Sequence, residues 1–175
     1  MRARKGTAGP GGFTLVEIAV VIGILGILVM LAVSSFKELS EKYGVEAETK
    51  QLYADLMTAR ARAMQRNRYH FVRIPSITAN GYATYDDTSP LPDGNRAYNA
   101  GLDNQVVNVT VKHTMTTVLT GSATNFEFNS QGIASVTGYI RFSPIAGSSA
   151  KPDYDCITIR ETRINTGQYN NAGVC

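Results

Sequence analysis

Gly11-Gly12-Phe13-Thr14-Leu15-Val16-Glu17 opens a run that stays apolar as far as Val33: FTLVEIAVVIGILGILVMLAV. These 21 residues (13–33) measure about 31 Å as a helix at about 1.5 Å per residue. A bilayer core of about 30 Å is therefore just spanned. A basic leader precedes the run (Arg2, Arg4, Lys5) and argues for a cytoplasmic N-terminus, with everything after Val33 exported. Glu17 is the one carboxylate inside the run. A charge at that depth costs a few kcal/mol and persists where it has a function. Two ordinary readings compete. One is a secretory signal with Ala32-Val33-Ser34 as its cleavage site; the other is a plain signal anchor. The run exceeds a signal core of roughly 7–15 residues and Glu17 spoils its start. A plain anchor leaves Glu17 without a purpose.

The chain has 175 residues, room for this helix and one globular domain. Its formal charge of +3 comes from the leader, because removing residues 1–12 takes away three of 17 basic residues and leaves 14 against 14 acidic ones. Global basicity is thus no argument for nucleic acid. Cys156 and Cys175 are the two cysteines. Export would place them in an oxidising compartment, where pairing is the default and two free thiols the alternative.

The helical pattern continues past the membrane. Phe36, Leu39 and Tyr43, then Leu52, Leu56, Ala59 and Ala63, follow helical spacing, with Lys37, Glu38, Glu41, Lys42, Glu46, Glu48 and Lys50 on the other face. No proline interrupts it, and Gly44 is its weakest point. One helix from near Thr14 to about Asn67 is expected, its second half (34–68) packed on a domain. From residue 69 the pattern turns to β. Strands are expected at 69–74, 82–85, 105–113, 115–119, 125–129, 138–143 and 156–160. Asn80-Gly81 reads as a hairpin turn, and 86–104 and 144–153 as a long loop and a second, flexible one. The expected fold is α+β: a long N-terminal helix, membrane-spanning in its first half, packed on a mainly antiparallel β-sheet domain (69–175).

The opening block resembles the class III leader of type IV pilins and type II secretion pseudopilins. The resemblance implies that a prepilin peptidase cuts between Gly12 and Phe13, removing 1–12, and N-methylates Phe13. Glu17 matches the family's glutamate. Phe13 and Glu17 share a helix face, so the carboxylate can neutralise the new α-ammonium in a low dielectric, within one subunit or across to a neighbour. Leu52 to Asn67, LYADLMTARARAMQRN, is similar to the helix end of GspH/FimT-type minor pseudopilins and pilins. Phe126 to Gly132 resembles their F-x-x-x-G turn, and 138–142 and 157–159 their last hairpins. C-terminal disulfide loops are common in pilins, which supports pairing of Cys156 with Cys175. Two departures stand out. Ser34-Ser35 occupies the region where the wider family often has a proline, and Thr162-Arg163-Ile164 stands where FimT-like proteins carry G-R-V.

Candidate sites follow. Arg60, Arg62, Arg66, Arg68 and Arg73, with Arg160 and Arg163, could make a phosphate-binding face, and Tyr69 and Tyr169 could stack on bases. The alternative is that arginines at a helix C-terminus complement its dipole and cap carbonyls. His70 and His113 read as strand residues. Asp86, Asp87, Asp93 and Asp103 lack the regular spacing of a calcium loop. Neither a cofactor nor a small-molecule substrate is expected, and no catalytic constellation stands out. The resemblance implies a minor pseudopilin of a type II secretion system, a structural subunit that helps initiate pseudopilus assembly and protein export. It would be a single-pass protein of the inner membrane with its globular domain in the periplasm, and its partners would be the prepilin peptidase and other major and minor pilin-like subunits. The alternative is a FimT-like minor pilin that binds DNA for natural transformation.

Overall fold

The computed structural model describes residues 12–74, 78–90, 94–170 and 175. One helix, α1 (Leu15–Arg66), precedes seven strands: β1 (His70–Arg73), β2 (Thr78–Asp86), β3 (Asn104–Leu119), β4 (Asn125–Phe128), β5 (Gly138–Ser143), β6 (Cys156–Ile159) and β7 (Ile164–Gly167). They form one sheet in the order β4-β1-β2-β3-β5-β6-β7, antiparallel at every step. The architecture is the expected α+β one. The chain divides into two compact units, Met1–Lys37 and Glu38–Cys175.

In the first unit the apolar residues Ile18, Val21, Ile24, Leu25 and Leu28 are exposed. This part of α1 is long and apolar enough to cross a membrane. The second unit has its own core. Val45, Thr49, Leu52, Leu56, Ala59 and Ala63 recur at alternating intervals of four and three and are all buried, the stripe an amphipathic helix lays on a sheet. They pack with Val72, Met115, Phe126, Phe128, Ile140, Phe142 and Ile157. Each buried Val, Leu, Ile, Phe or Met among them contributes about 1.5–3 kcal/mol on leaving water. The expected stripe needs a correction at its start: Phe36, Leu39 and Tyr43 are exposed. Tyr43 precedes Leu52 by about two and a half helical turns, so the two residues point to opposite sides. Val45 and Thr49 carry the buried stripe back toward the N-terminus instead.

The helix ends where its chemistry says it should. Asn67 takes a left-handed backbone at φ 53°. The Arg68 N–H then reaches the Ala63 carbonyl at 3.1 Å and the Asn67 N–H the Met64 carbonyl at 3.4 Å, the paired bonds of a Schellman cap. Gly44 does not break the helix. A Cβ there would sit 2.9 Å from His113 Cε1, so the glycine lets α1 approach the His113 ring.

Several strand expectations are overturned. Asn80-Gly81 makes no hairpin turn but lies inside β2. The β2–β3 register slips there, from Ala79 opposite Met115 to Gly81 opposite Thr110. A Cβ on Gly81 would stand 2.6 Å from the Val109 carbonyl oxygen, so the glycine serves a bulge with a close backbone approach. Segments 105–113 and 115–119 are one strand, β3, because their alternation carries through: Val111, His113, Met115, Thr117 and Leu119 are all buried. The short edge strand β7 was not anticipated; Ile164 is its one buried residue, too little for a pattern.

The charged face of α1 is a second correction. It is a docking face. The register slip leaves Val111, Lys112, His113 and Thr114 opposite Asn80 alone. Glu48 reaches across from α1 and accepts the Lys112 N–H at 2.8 Å and the His113 N–H at 3.2 Å. Its Oε2 also lies 2.9 Å from His113 Nδ1. The 144–153 segment, expected to be flexible, is strapped to the same helix. Glu41 accepts the Ile145 N–H at 2.7 Å, Glu46 the Asp153 N–H at 2.9 Å, and Glu38 the Ser149 hydroxyl. Lys42 pairs with Asp153 at 2.9 Å.

Cys156 and Cys175 are joined by a disulfide with Cα atoms 5.8 Å apart. It ties the chain's last residue to the start of β6. Replacing both cysteines by serine is expected to destabilise the Glu38–Cys175 unit by about 3 kcal/mol, the loop-closure entropy of a bridge of this span. Urea unfolding of the variant beside the parent would measure it.

Candidate functional site

The two ends of α1 carry the residues singled out in the sequence. At the N-terminal end, Gly12, Phe13 and Thr14 precede the first helical residue. The Glu17 N–H donates to Thr14 Oγ1 at 3.2 Å, and the Ile18 N–H to the Thr14 carbonyl at 3.2 Å. Thr14 is thus the N-cap and Glu17 the third helical residue, so Thr14-Leu15-Val16-Glu17 has the S/T-x-x-E order of a capping box. Sequence reading missed Thr14, although the signal, S/T-x-x-E before an apolar run, was present. A carboxylate in the first turn also complements the helix dipole. Phe13 is 78% exposed. A Cβ on Gly12 would meet nothing within 4 Å, so the described chain itself does not demand glycine there.

At the C-terminal end the arginines sort into groups. Arg66 Nη1 bonds Asp86, which is buried and also lies 2.8 Å through Oδ1 from His70 Nδ1. Burial pushes the Asp86 carboxyl up. The hydrogen bond and charge of His70, with the charges of Arg66 and Arg62, outweigh it and hold Asp86 below the usual carboxylate range. Arg60 Nη1 donates to the Thr162 carbonyl at 2.9 Å, in the β6–β7 turn that also carries Arg160 and Arg163. Arg163 Nε donates to Asn165 Oδ1 at 3.1 Å. Arg73 lies over the Tyr98 ring at 4.2 Å. Tyr169 stacks on Arg141 at 3.9 Å and belongs to another part of the domain. A cavity of about 620 Å³ opens where α1 ends, lined by Arg66, Arg68, Tyr69, Arg96, Asn129 and Gln131 among others. Arg96 was not anticipated; it arrives from a loop with no periodicity to read.

The remaining candidates have structural duties. Asp87 accepts the Asn95 and Arg96 N–H groups, and Asp103 those of Thr88, Ser89 and Asn99. Both are thus engaged as loop caps. Asp93 lies outside the described residues. His113 sits between Glu48 and Glu41; its Nε2 is 3.1 Å from Glu41 Oε1 but out of line for a hydrogen bond. Among the described residues no cluster of three His, Cys, Asp or Glu side chains is placed to hold a metal ion.

Comparison with known proteins places the chain. Among curated proteins nothing matches it. Among solved structures, the minor pseudopilin EpsH from the type 2 secretion system of Vibrio cholerae is 16% identical, with a TM-score of 0.50 over 71% of this chain and 97% of that one. A second EpsH structure is 14% identical, with a TM-score of 0.51 over 74% of this chain and 97% of that one. The type IV minor pilin FimU of Pseudomonas aeruginosa (strain PAO1) is 14% identical, with a TM-score of 0.45 over 69% and 90%. At these identities the EpsH likeness speaks for the fold. The family evidence is separate: residues 48–162, most of the chain, match the type II transport protein GspH, and the chain belongs to that family.

Proposed function

We propose that this protein is a minor pseudopilin of a type II secretion system, a structural subunit and not an enzyme. It is made as a precursor, cut between Gly12 and Phe13 by a prepilin peptidase and N-methylated at Phe13. It waits in the inner membrane with the Glu38–Cys175 unit in the periplasm, then enters the pseudopilus among other pilin-like subunits. The observation that carries this reading is the exposure of Ile18, Val21, Ile22, Ile24, Leu25 and Leu28 on the apolar stretch of α1, in a chain whose Glu38–Cys175 unit has a core of its own. Such a helix needs lipid or other helices around it. Gly23 and Gly26 fit the second setting. Each costs the helix about 1 kcal/mol, and an added Cβ at either would meet nothing within 4 Å, so close neighbours outside the chain are the reason to keep them. Gly12 suits a residue read by a peptidase rather than required by the fold.

Deleting the gene in its own host and following secreted proteins and surface pili in one culture tests the proposal. Exoproteins are expected to accumulate in the periplasm while pili stay normal. Intact secretion with reduced piliation or DNA uptake would replace it with the pilin reading.

A further inference from the structure

We infer that the cavity at the C-terminal end of α1 is a receptor for carboxylate groups of an acidic polypeptide segment. A buried acid holds the guanidinium of one of its cations, Arg66, and another, Asp87, which also lines the cavity, holds the backbone of a second, Arg96, with both carboxylate oxygens taken by N–H groups. Arg66 is fixed through Nη1 by Asp86, yet its side chain remains 50% exposed. Arg96 has a left-handed backbone, φ 62°, that residues other than glycine seldom adopt. Buried Asp87 holds it there, accepting the Asn95 N–H at 3.2 Å and the Arg96 N–H at 2.7 Å. The Arg96 guanidinium lies 6.0 Å from the Tyr69 ring centroid. Capping the helix explains Arg66 and Arg68, at its last turn and just beyond. It does not explain Arg96, which belongs to no helix.

The shape and chemistry of the lining choose the ligand. Guanidinium groups bind carboxylates through paired N–H donors in fixed geometry. Gln131, in the same wall, carries an amide that both donates and accepts, matching a peptide backbone, and Asn129, whose Oδ1 already accepts the Gln131 and Ile133 N–H groups, keeps its NH2 as a donor. A chamber of about 620 Å³ takes a few side chains. A DNA backbone instead calls for a charged groove that tracks successive phosphates. Arg160 and Arg163 do not line this cavity, and Arg60 is turned to the Thr162 carbonyl. This assignment rests on the cavity alone and does not depend on the assembly role proposed above.

The test is fluorescence anisotropy of a labelled hexaglutamate peptide with the full chain in detergent micelles, with hexaglutamine and a short DNA duplex as parallel probes. Hexaglutamate is expected to bind, more weakly as salt rises, and hexaglutamine not to bind. Arg96→Gln should weaken hexaglutamate by about tenfold, the loss of one charge-assisted contact, whereas Arg163→Gln should leave it unchanged. Because Arg96 also shapes its loop, Gln131→Glu provides an independent check. Its side chain is exposed, so the fold tolerates it, and its charge should repel the peptide. Absent hexaglutamate binding, binding indifferent to both cavity variants, or tighter duplex binding that falls with Arg163→Gln would overturn the inference.

Discussion

Replacing Glu17 with alanine is expected to abolish entry of the protein into the pseudopilus while leaving the Glu38–Cys175 unit folded. The carboxylate sits in the first turn of an exposed apolar helix, and the Thr14 hydroxyl beside it already accepts the Glu17 N–H. Under the proposed processing Phe13 becomes the N-terminus, and its ammonium group would need a counter-charge in surroundings that solvate it poorly. Breaking such a pair by removing one partner costs on the order of 3–5 kcal/mol, more than about a hundredfold in an assembly equilibrium. Glu17→Gln separates charge from shape. It keeps the size and hydrogen-bonding capacity, so it should fail nearly as badly as alanine if neutralisation is the function. Sedimentation of sheared filaments, probed for the variant, provides the readout, and circular dichroism checks the domain. Normal incorporation of Glu17→Gln would remove the charge from the mechanism.

The second large effect lies at the other end of α1. Asp86→Ala should destabilise the Glu38–Cys175 unit by about 3 kcal/mol, because it strips a buried histidine and an arginine of their shared partner. The lower end of the range applies because Arg66 is half-exposed and screened by solvent. The pH dependence follows from the sign of the shift. The folded carboxyl titrates below its ordinary value, so its contribution is complete above that value. It is lost as the pH falls from there through the folded one. Asp86→Asn should therefore flatten the acid limb of a stability profile as well as lower its plateau. Urea midpoints between about pH 6 and pH 2 decide it; a parallel, merely lowered profile would mean that another carboxylate drives the acid transition.

What was legible in the sequence depended on how far each signal reached. The apolar run, Glu17 and the four–three rhythm of Leu52, Leu56, Ala59 and Ala63 are local, and they led to the helix and its packing on a sheet. The alternation through Val107, Val109 and Val111 is local too, and it marked β3. Errors came where one residue answers to another far along the chain. Asn80-Gly81 has turn chemistry, but its register with Val109 and Thr110 makes it a bulge. The glutamates of α1 look like a solvent face until the unpaired amides of Lys112 and His113, and the loop holding Ile145 and Asp153, supply their donors. Arg66 and Arg68 stood out as a basic stretch at a helix end, whereas the cavity they share depends on Arg96, from a loop whose path no pattern announces.

Glu48 works as a key in a slot. One carboxylate spans two successive amides in the gap opened by the register slip of β3. A helix turned by a single residue would swing that carboxylate through about 100°, away from both. The apolar stripe, about 100° wide, sets the rotation coarsely; paired N–H donors, which need near-linear geometry, set it more finely. The angular setting of the Glu38–Arg66 stretch about its own axis is therefore indexed to the sheet. A torque on that stretch reaches the domain as rotation rather than being lost in slippage.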